Sequence, residues 1–233
     1  MYENVFRRVE EKYVLDGRQK QELLKKIESY LQKDKFYKTT ICNLYFDTIH
    51  DDLIVHSLEK PIFKEKIRLR SYKIPDLEDD VFLEIKKKYK GIVGKRRVKM
   101  KLKEFYEYIK NHEFDETNQI MREIDYAFTH YQLKPTIYIA YDRKSYVAKE
   151  NKHLRITFDE NLRSRTDDLR LELGDAGFRY FKGEYYIMEI KTLGAMPMWL
   201  VHALSDLNIY PTSFSKYGSI YEKKKERKIN YAY

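Results

Sequence analysis

The feature that most constrains this chain is an alternation repeated along it, with cations at every second position and apolar residues between them. In residues 66–72 (KIRLRSY), Lys66, Arg68 and Arg70 fall on one side, with Ile67 and Leu69 on the other, because successive side chains of a strand point to opposite faces. Residues 81–89 (VFLEIKKKY) set Glu84, Lys86 and Lys88 against Val81, Leu83 and Ile85. Residues 95–102 (KRRVKMKL) set Lys95, Arg97, Lys99 and Lys101 against Val98, Met100 and Leu102. In residues 154–163, Arg155, Thr157, Asp159 and Arg163 oppose Leu154, Ile156, Phe158 and Leu162. Glu189 and Lys191 oppose Met188 and Ile190 in residues 185–192. The first such segment, residues 5–14, gathers Arg8, Glu10 and Lys12 opposite Val9 and Tyr13, although Arg7 and Glu11 blur it.

A period of two predicts strands of an antiparallel sheet with one apolar face. Helical spacing is expected in residues 17–32 (Leu23, Leu24, Ile27, Tyr30, Leu31), 102–109, 117–131 and 197–207 (Trp199, Leu200, Ala203, Leu204, Leu207). Trp199 belongs to the core on this reading. Residues 73–80, 112–116 and 163–170 read as loops. No linker or repeat divides the chain, so one domain over residues 1–233 is expected, with a charged C-terminal helix at about 219–230. The expected class is α+β: an antiparallel β-barrel tunnel of about eight strands, charged face inward, with helices packed outside.

Lys and Arg total 46 against 37 Asp and Glu, a net charge of +9, which points to a polyanion: nucleic acid, an anionic membrane or phosphate chains. A merely solvated face mixes signs, because like charges on neighbouring strands repel. Here Lys and Arg dominate one face, so it reads as a binding surface. Nucleic-acid recognition calls for exposed aromatics beside the cations; here the aromatics often lie opposite them, and no nucleic acid is expected. Four carboxylates, Glu10, Glu84, Asp159 and Glu189, share the cationic faces. A divalent metal, Mn²⁺ or Mg²⁺, prefers oxygen ligands that it shares with phosphates. Glu10 and Glu189 are the metal candidates, while for Glu84 a salt bridge to a strand neighbour stands level with metal binding.

Cys42 is the only cysteine, so no internal disulfide forms and a reducing cytoplasm is the expected compartment. It reads as a small hydrophobe. The first residues (MYENVFRRVEEKY) hold no apolar signal segment, and no apolar run reaches the roughly 18–20 residues of a membrane span. Association with a membrane would need a protein partner. The six His residues form no metal-ligand pair and read as surface or loop positions.

Several motifs in fixed order carry a resemblance: RRVEEKYVL at the start, NLYFDT at 43–48, KIRLRSY at 66–72, FLEIKKKYKGIVGKRRV at 82–98, YDRKSY at 141–146, LRITFD at 154–159, YYIMEIK at 185–191 and SFSKYG at 213–218. Over about residues 4–221 the chain resembles the VTC (vacuolar transporter chaperone) polyphosphate polymerase domain, a branch of the CYTH/triphosphate tunnel metalloenzymes. The first-strand signature of that superfamily, E-x-E-x-K, reads Arg8-x-Glu10-x-Lys12 here, which suits the VTC branch better than a two-Glu triphosphatase or cyclase. The resemblance implies phosphate contacts from Lys12, Arg68, Arg70, Lys86, Arg143, Arg155, Ser215 and Lys216, with a further basic residue within 95–99 and a metal on Glu189. Eukaryotic members carry a regulatory domain and membrane helices that this sequence does not match.

Taken together, Lys12, Arg68, Arg70, Lys86 and Glu189 are the expected catalytic set. Arg8, Lys66, Lys88, Arg97, Arg143, Arg155, Lys191, Ser215 and Lys216 complete the phosphate ligands, and Glu10 assists the metal. Phosphoryl transfer needs positioning and charge neutralisation more than covalent chemistry. The expected activity is an NTP-dependent polyphosphate polymerase that uses ATP or another NTP and takes pyrophosphate, triphosphate or polyphosphate. The alternatives are a tunnel triphosphatase that hydrolyses triphosphate or NTP, and a non-catalytic polyphosphate or nucleotide sensor. Tyr45 and Asp47 are expected to support a strand end.

Overall fold

The computed structural model describes residues 8–230, with side chains for 9–226. Its elements, in chain order, are β1 (Arg8–Asp16), α1 (Gly17–Ile27), β2 (Leu31–Asp47), α2 (Asp52–Leu58), β3 (Phe63–Ser71), β4 (Asp80–Tyr89), β5 (Ile92–Lys101), α3 (Leu102–Asn111), α4 (Gln119–Tyr131), β6 (Lys134–Ala148), β7 (Arg155–Arg165), β8 (Phe178–Arg179), β9 (Tyr185–Leu193), α5 (Met198–Asp206) and α6 (Lys216–Asn230). The strands hydrogen-bond in the order β1-β9-β7-β6-β2-β3-β4-β5, with β8 paired to β7. The class is α+β, as the alternation predicts, with a largely antiparallel sheet. None of the described helices is long and apolar enough to cross a membrane.

The chain divides into two compact units. The first holds residues up to Thr39, Tyr141–Leu162 and Arg179–Ser215. Its core joins Tyr13 and Leu15 of β1, Ile156 and Phe158 of β7, and Met188 and Ile190 of β9 to Leu23 and Ile27 of α1 and Leu200, Ala203 and Leu204 of α5. The apolar residues of each strand therefore face the helices, and the charged positions face away. Asp16 starts α1 with a capping box: its carboxylate accepts from the Gln19 amide at 2.7 Å, and the Gln19 side chain accepts from the Asp16 amide at 3.3 Å. Both orphan donors of the first turn are satisfied reciprocally. Trp199 packs half-buried against this core and stacks on Tyr30, ring centroids 4.5 Å apart.

The second unit holds Thr40–Ala140, Arg163–Phe178 and the chain from Lys216 onward. Here Leu44 and Phe46 of β2, Ile67 and Leu69 of β3, and Leu83 and Ile85 of β4 pack on Leu102, Phe105 and Tyr108 of α3 and Ile124, Ala127 and Phe128 of α4. Cys42 is fully buried in the same core, and burial pushes its thiol pKa up; it is an inert hydrophobe, as read from the sequence. Asp47 does more than end a strand. Its carboxylate accepts from the amides of Thr48 (2.8 Å), Leu53 (2.8 Å) and Ile54 (2.9 Å) and from the Tyr217 hydroxyl (3.0 Å). It thereby caps α2, a helix the sequence reading left unassigned.

One expected loop is corrected. β7 continues through Arg163 to Arg165, and Asn161, with φ of 53°, interrupts the alternation just before. Arg163 therefore does not extend the charged face. It is ion-paired to Asp175, while Arg165 donates to the carbonyls of Asp168, Arg170, Gly174 and Ala176 and lies 3.7 Å over the Tyr138 ring. Gly177 lets this segment lie against β7: a Cβ there would meet the Ser164 carbonyl oxygen at 2.7 Å. The tail is helical from Lys216, three residues earlier than expected.

Candidate functional site

In the second unit the register aligns the even positions of β3 and β4 with the odd positions of β2 and β5. Tyr45, Arg68, Glu84 and Arg97 form one cross-strand row, and Asn43, Arg70, Phe82 and Lys99 the next. A third row consists of Lys66, Lys86 and Lys95 side by side. Three like charges directly opposite one another cost stability.

Glu84 is the hub of this face, with its side chain only 2% exposed. One carboxylate oxygen accepts from Arg68 Nε and Nη2 at 2.8 and 2.7 Å and lies 4.0 Å from Arg70 Nε, while the other meets Lys95 Nζ at 2.8 Å. Burial alone would raise its pKa; Arg68, Arg70 and Lys95 outweigh that and hold it down to about 2. Glu84 is thus an ion-pair hub between β3 and β5. Arg70, itself buried, donates to Asn43 Oδ1 at 2.9 Å, and Asn43 donates in turn to the Ile139 carbonyl at 3.0 Å. Arg68 Nη1 donates to the Tyr45 hydroxyl at 3.0 Å. Burial would raise the Tyr45 pKa, but Arg68 and Arg70 pull it down to about 8.

The remaining expected residues of this unit lie around the hub. Lys66 lies 5.7 Å over the Tyr217 ring, and Lys86 and Lys88 are exposed. Arg97, also exposed, stacks 4.7 Å over Phe82 with the Tyr72 hydroxyl 3.5 Å away. It is Lys95, not Arg97, that reaches the buried carboxylate of Glu84. Lys216 opens α6.

The first unit carries its own charged face. Glu10, Lys191 and Arg155 form one row across β1, β9 and β7, and Lys12, Glu189 and Thr157 the next. Glu189, with its side chain 9% exposed, accepts from Lys191 Nζ at 2.5 Å. Its burial is outweighed first by Lys191 and then by Arg143 and Lys12, which hold its pKa down to about 2. Lys12 lies 3.6 Å from Glu10 and donates to the Phe214 carbonyl at 3.3 Å. Arg143 of β6 binds Asp159 with two parallel bonds of 2.6 and 2.8 Å, so Asp159 orients an arginine, as a fork–fork pair does.

Arg155 shares the row of Lys191 and Glu10. It is half-exposed and ion-paired to Asp34 of β2, a partner the alternation of β7 alone does not reveal. Ser215 ends this unit, half-buried. The backbone of Arg8 pairs with Leu193 at the end of β1, and its side chain lies outside the described residues. Asn43, Tyr45 and Thr157 are the site residues that the sequence reading gave no role at phosphate. For Asn43 and Tyr45 a signal existed, since both sit at odd positions of NLYFDT, but the partner strand fixes their face.

These two faces can be compared with known proteins. The family model described as "VTC domain" matches residues 7–223. The chain belongs to the VTC-domain family. Among solved structures, a putative adenylate cyclase from Bacillus halodurans superposes with a TM-score of 0.54 at 14% identity, covering 89% of this chain and 92% of that one. A second, from Vibrio parahaemolyticus, gives 0.53 at 11% identity, covering 94% and 99%. At these identities the likeness is one of fold. A search of curated proteins returns no match.

For this VTC domain the metal question turns on Glu10 and Glu189. Among the described residues no group of three or more His, Cys, Asp or Glu side chains converges. Instead two carboxylates bracket one ammonium: Lys191 Nζ is 2.5 Å from Glu189 and 3.6 Å from Glu10. Two hard oxygen donors around a bound cation suit a metal of the Mg²⁺ or Mn²⁺ type, which takes one or two carboxylates and completes its shell with phosphate and water. They do not make a cage that would hold the ion alone.

Proposed function

We propose that this VTC domain is an NTP-dependent polyphosphate polymerase that transfers the γ-phosphate of ATP to the end of a growing polyphosphate chain. The observation that carries the reading is the Lys66–Lys86–Lys95 row. Lys95 of that row also meets Glu84, and so many cations gathered on one sheet face suit a chain of phosphates, whose charge they would share. Family membership supports a protein that binds nucleotide or polyphosphate.

In the second unit, Lys66, Lys86 and Lys88 supply point charges to successive phosphates, and Arg68, Arg70 and Arg97 supply planar donors. Glu84 holds Arg68 and Lys95 in place, so their orientation is set before substrate arrives. In the first unit, Lys12, Arg143, Arg155, Lys191 and Ser215 are the phosphate ligands, and Lys216 is one of the second unit's. The terminal phosphate oxygen of the acceptor attacks the γ-phosphorus, the bond from that phosphorus to the β,γ-bridging oxygen breaks, and ADP departs with that oxygen. The acceptor is already anionic at neutral pH, so no strong general base is needed. Glu189, with Glu10, would hold a divalent metal, which supplies charge neutralisation at the transferred phosphoryl group.

The test is incubation of the purified protein with ATP and Mn²⁺, with products resolved on a gel stained for polyphosphate. A ladder of anionic polymer accompanied by ADP is expected. Free phosphate without polymer would replace the polymerase by a triphosphatase. Tight triphosphate binding without turnover would leave a sensor.

A further inference from the structure

The charged face of the first unit contains a buried polar atom that its own ion pairs do not use. Thr157 is paired across β7 and β9 with Glu189, and Glu189 across β9 and β1 with Lys12. Its side chain therefore shares their face, away from the core neighbours Ile156 and Phe158. Thr157 is 9% exposed, and its hydroxyl has no hydrogen-bond partner among the described residues. Every other group in the same two rows with a described side chain is engaged: Glu10 and Lys12 with each other, Lys191 with both carboxylates, and Arg155 with Asp34.

A buried hydroxyl without a partner is destabilising, and native structures satisfy nearly all such groups. Valine has nearly the same shape and would fill the strand position without that cost. The adjoining residues are cations and an ionised carboxylate, so whatever enters beside Glu189 and Lys191 is anionic and rich in oxygen acceptors. A hydroxyl adds what the ammonium groups lack: a directional donor at a fixed point of the strand, on a β-branched side chain with few rotamers.

We propose that the Thr157 hydroxyl is a phosphate-binding donor, giving its hydrogen bond to an oxygen of a bound phosphate chain. This rests on the reading of the first unit's face as a phosphate site. A phosphate oxygen satisfies the hydroxyl, which otherwise costs stability at this buried position.

The experiment compares the full chain with Thr157→Val and Thr157→Ser, using inorganic triphosphate as the probe in calorimetric titration and in thermal unfolding. A hydrogen bond to a charged group, worth about 1.5–3 kcal/mol, corresponds to a loss of roughly 10–150-fold in affinity. Thr157→Val should show that loss, while Thr157→Ser stays near the parent. Without triphosphate, Thr157→Val should unfold at the same or a higher temperature than the parent, and its rise on adding triphosphate should be smaller. A purely structural hydroxyl would lower the unfolding temperature of the ligand-free valine variant, and that result would overturn the proposal. Equal triphosphate affinity of Thr157→Val and the parent would also overturn it while leaving the phosphate site standing. Absence of triphosphate binding by the parent would overturn both.

Discussion

Replacing Glu84 by alanine should cost about 3–5 kcal/mol of folding stability, the range for removing one partner of a buried ion pair. The magnitude follows from the second unit's geometry. Glu84 is buried and contacts Arg68 and Lys95 within 2.8 Å, with Arg70 at 4.0 Å. Its removal takes a buried anion from the partly buried guanidinium of Arg68 and from beside that of Arg70. Urea unfolding with linear extrapolation measures the loss, and a change below about 1 kcal/mol would show that the cations relax into water instead. The same carboxylate sets an acid limb. Its folded pKa is about 2 against 4.5 for the unconstrained group. The stabilisation is therefore fully present above the unfolded value and is lost as pH falls from about 4.5 toward 2. Glu189, also held at about 2, titrates in the same window, so Glu84→Ala should shrink the acid limb without abolishing it.

Replacing Glu189 by alanine should reduce turnover by roughly 100–1,000-fold, the scale for removing one preorganised electrostatic contributor to a transition state. Binding should respond in the opposite sense. Glu189 holds Lys191 at 2.5 Å, and without it the ammonium is released toward the phosphate chain. Affinity for triphosphate in metal-free buffer should then stay level or rise. Steady-state ATP turnover with Mn²⁺ and titration without metal separate the two effects. Turnover within a few-fold of the parent would remove Glu189 from the catalytic role, whatever its effect on binding.

The strands were legible because their chemistry repeats with period two. Val81, Leu83 and Ile85 against Glu84, Lys86 and Lys88 leave one way to face the core, and Ile67 with Leu69 fixes β3 in the same manner. Helices α1, α4 and α5 were legible for the corresponding reason, with apolar residues three and four apart. Where the pattern failed, the cause was a long-range contact. Helix α2 is short, and its first turn is capped by Asp47, several residues upstream on β2. Arg163 reads as another cation of β7, yet the left-handed Asn161 and the ion pair with Asp175 remove it from the face.

The candidate site was legible in its cations but not in their partners. Composition and alternation select Arg68, Lys86 and Lys191 without knowledge of the sheet. That Lys95 reaches Glu84, that Arg155 pairs with Asp34, and that Thr157 has no partner among the described residues all depend on strand register and on which strands are neighbours. A sequence read one strand at a time contains neither.

The most direct measurement of the central claim, that these cationic faces bind a phosphate chain, is calorimetric titration of inorganic triphosphate into the parent, Lys12→Ala and Lys86→Ala proteins across a range of NaCl concentrations. The account predicts binding by the parent that weakens as salt rises, with each variant about tenfold weaker or more. No binding by the parent at low salt, or affinities for both variants equal to the parent's, would contradict it.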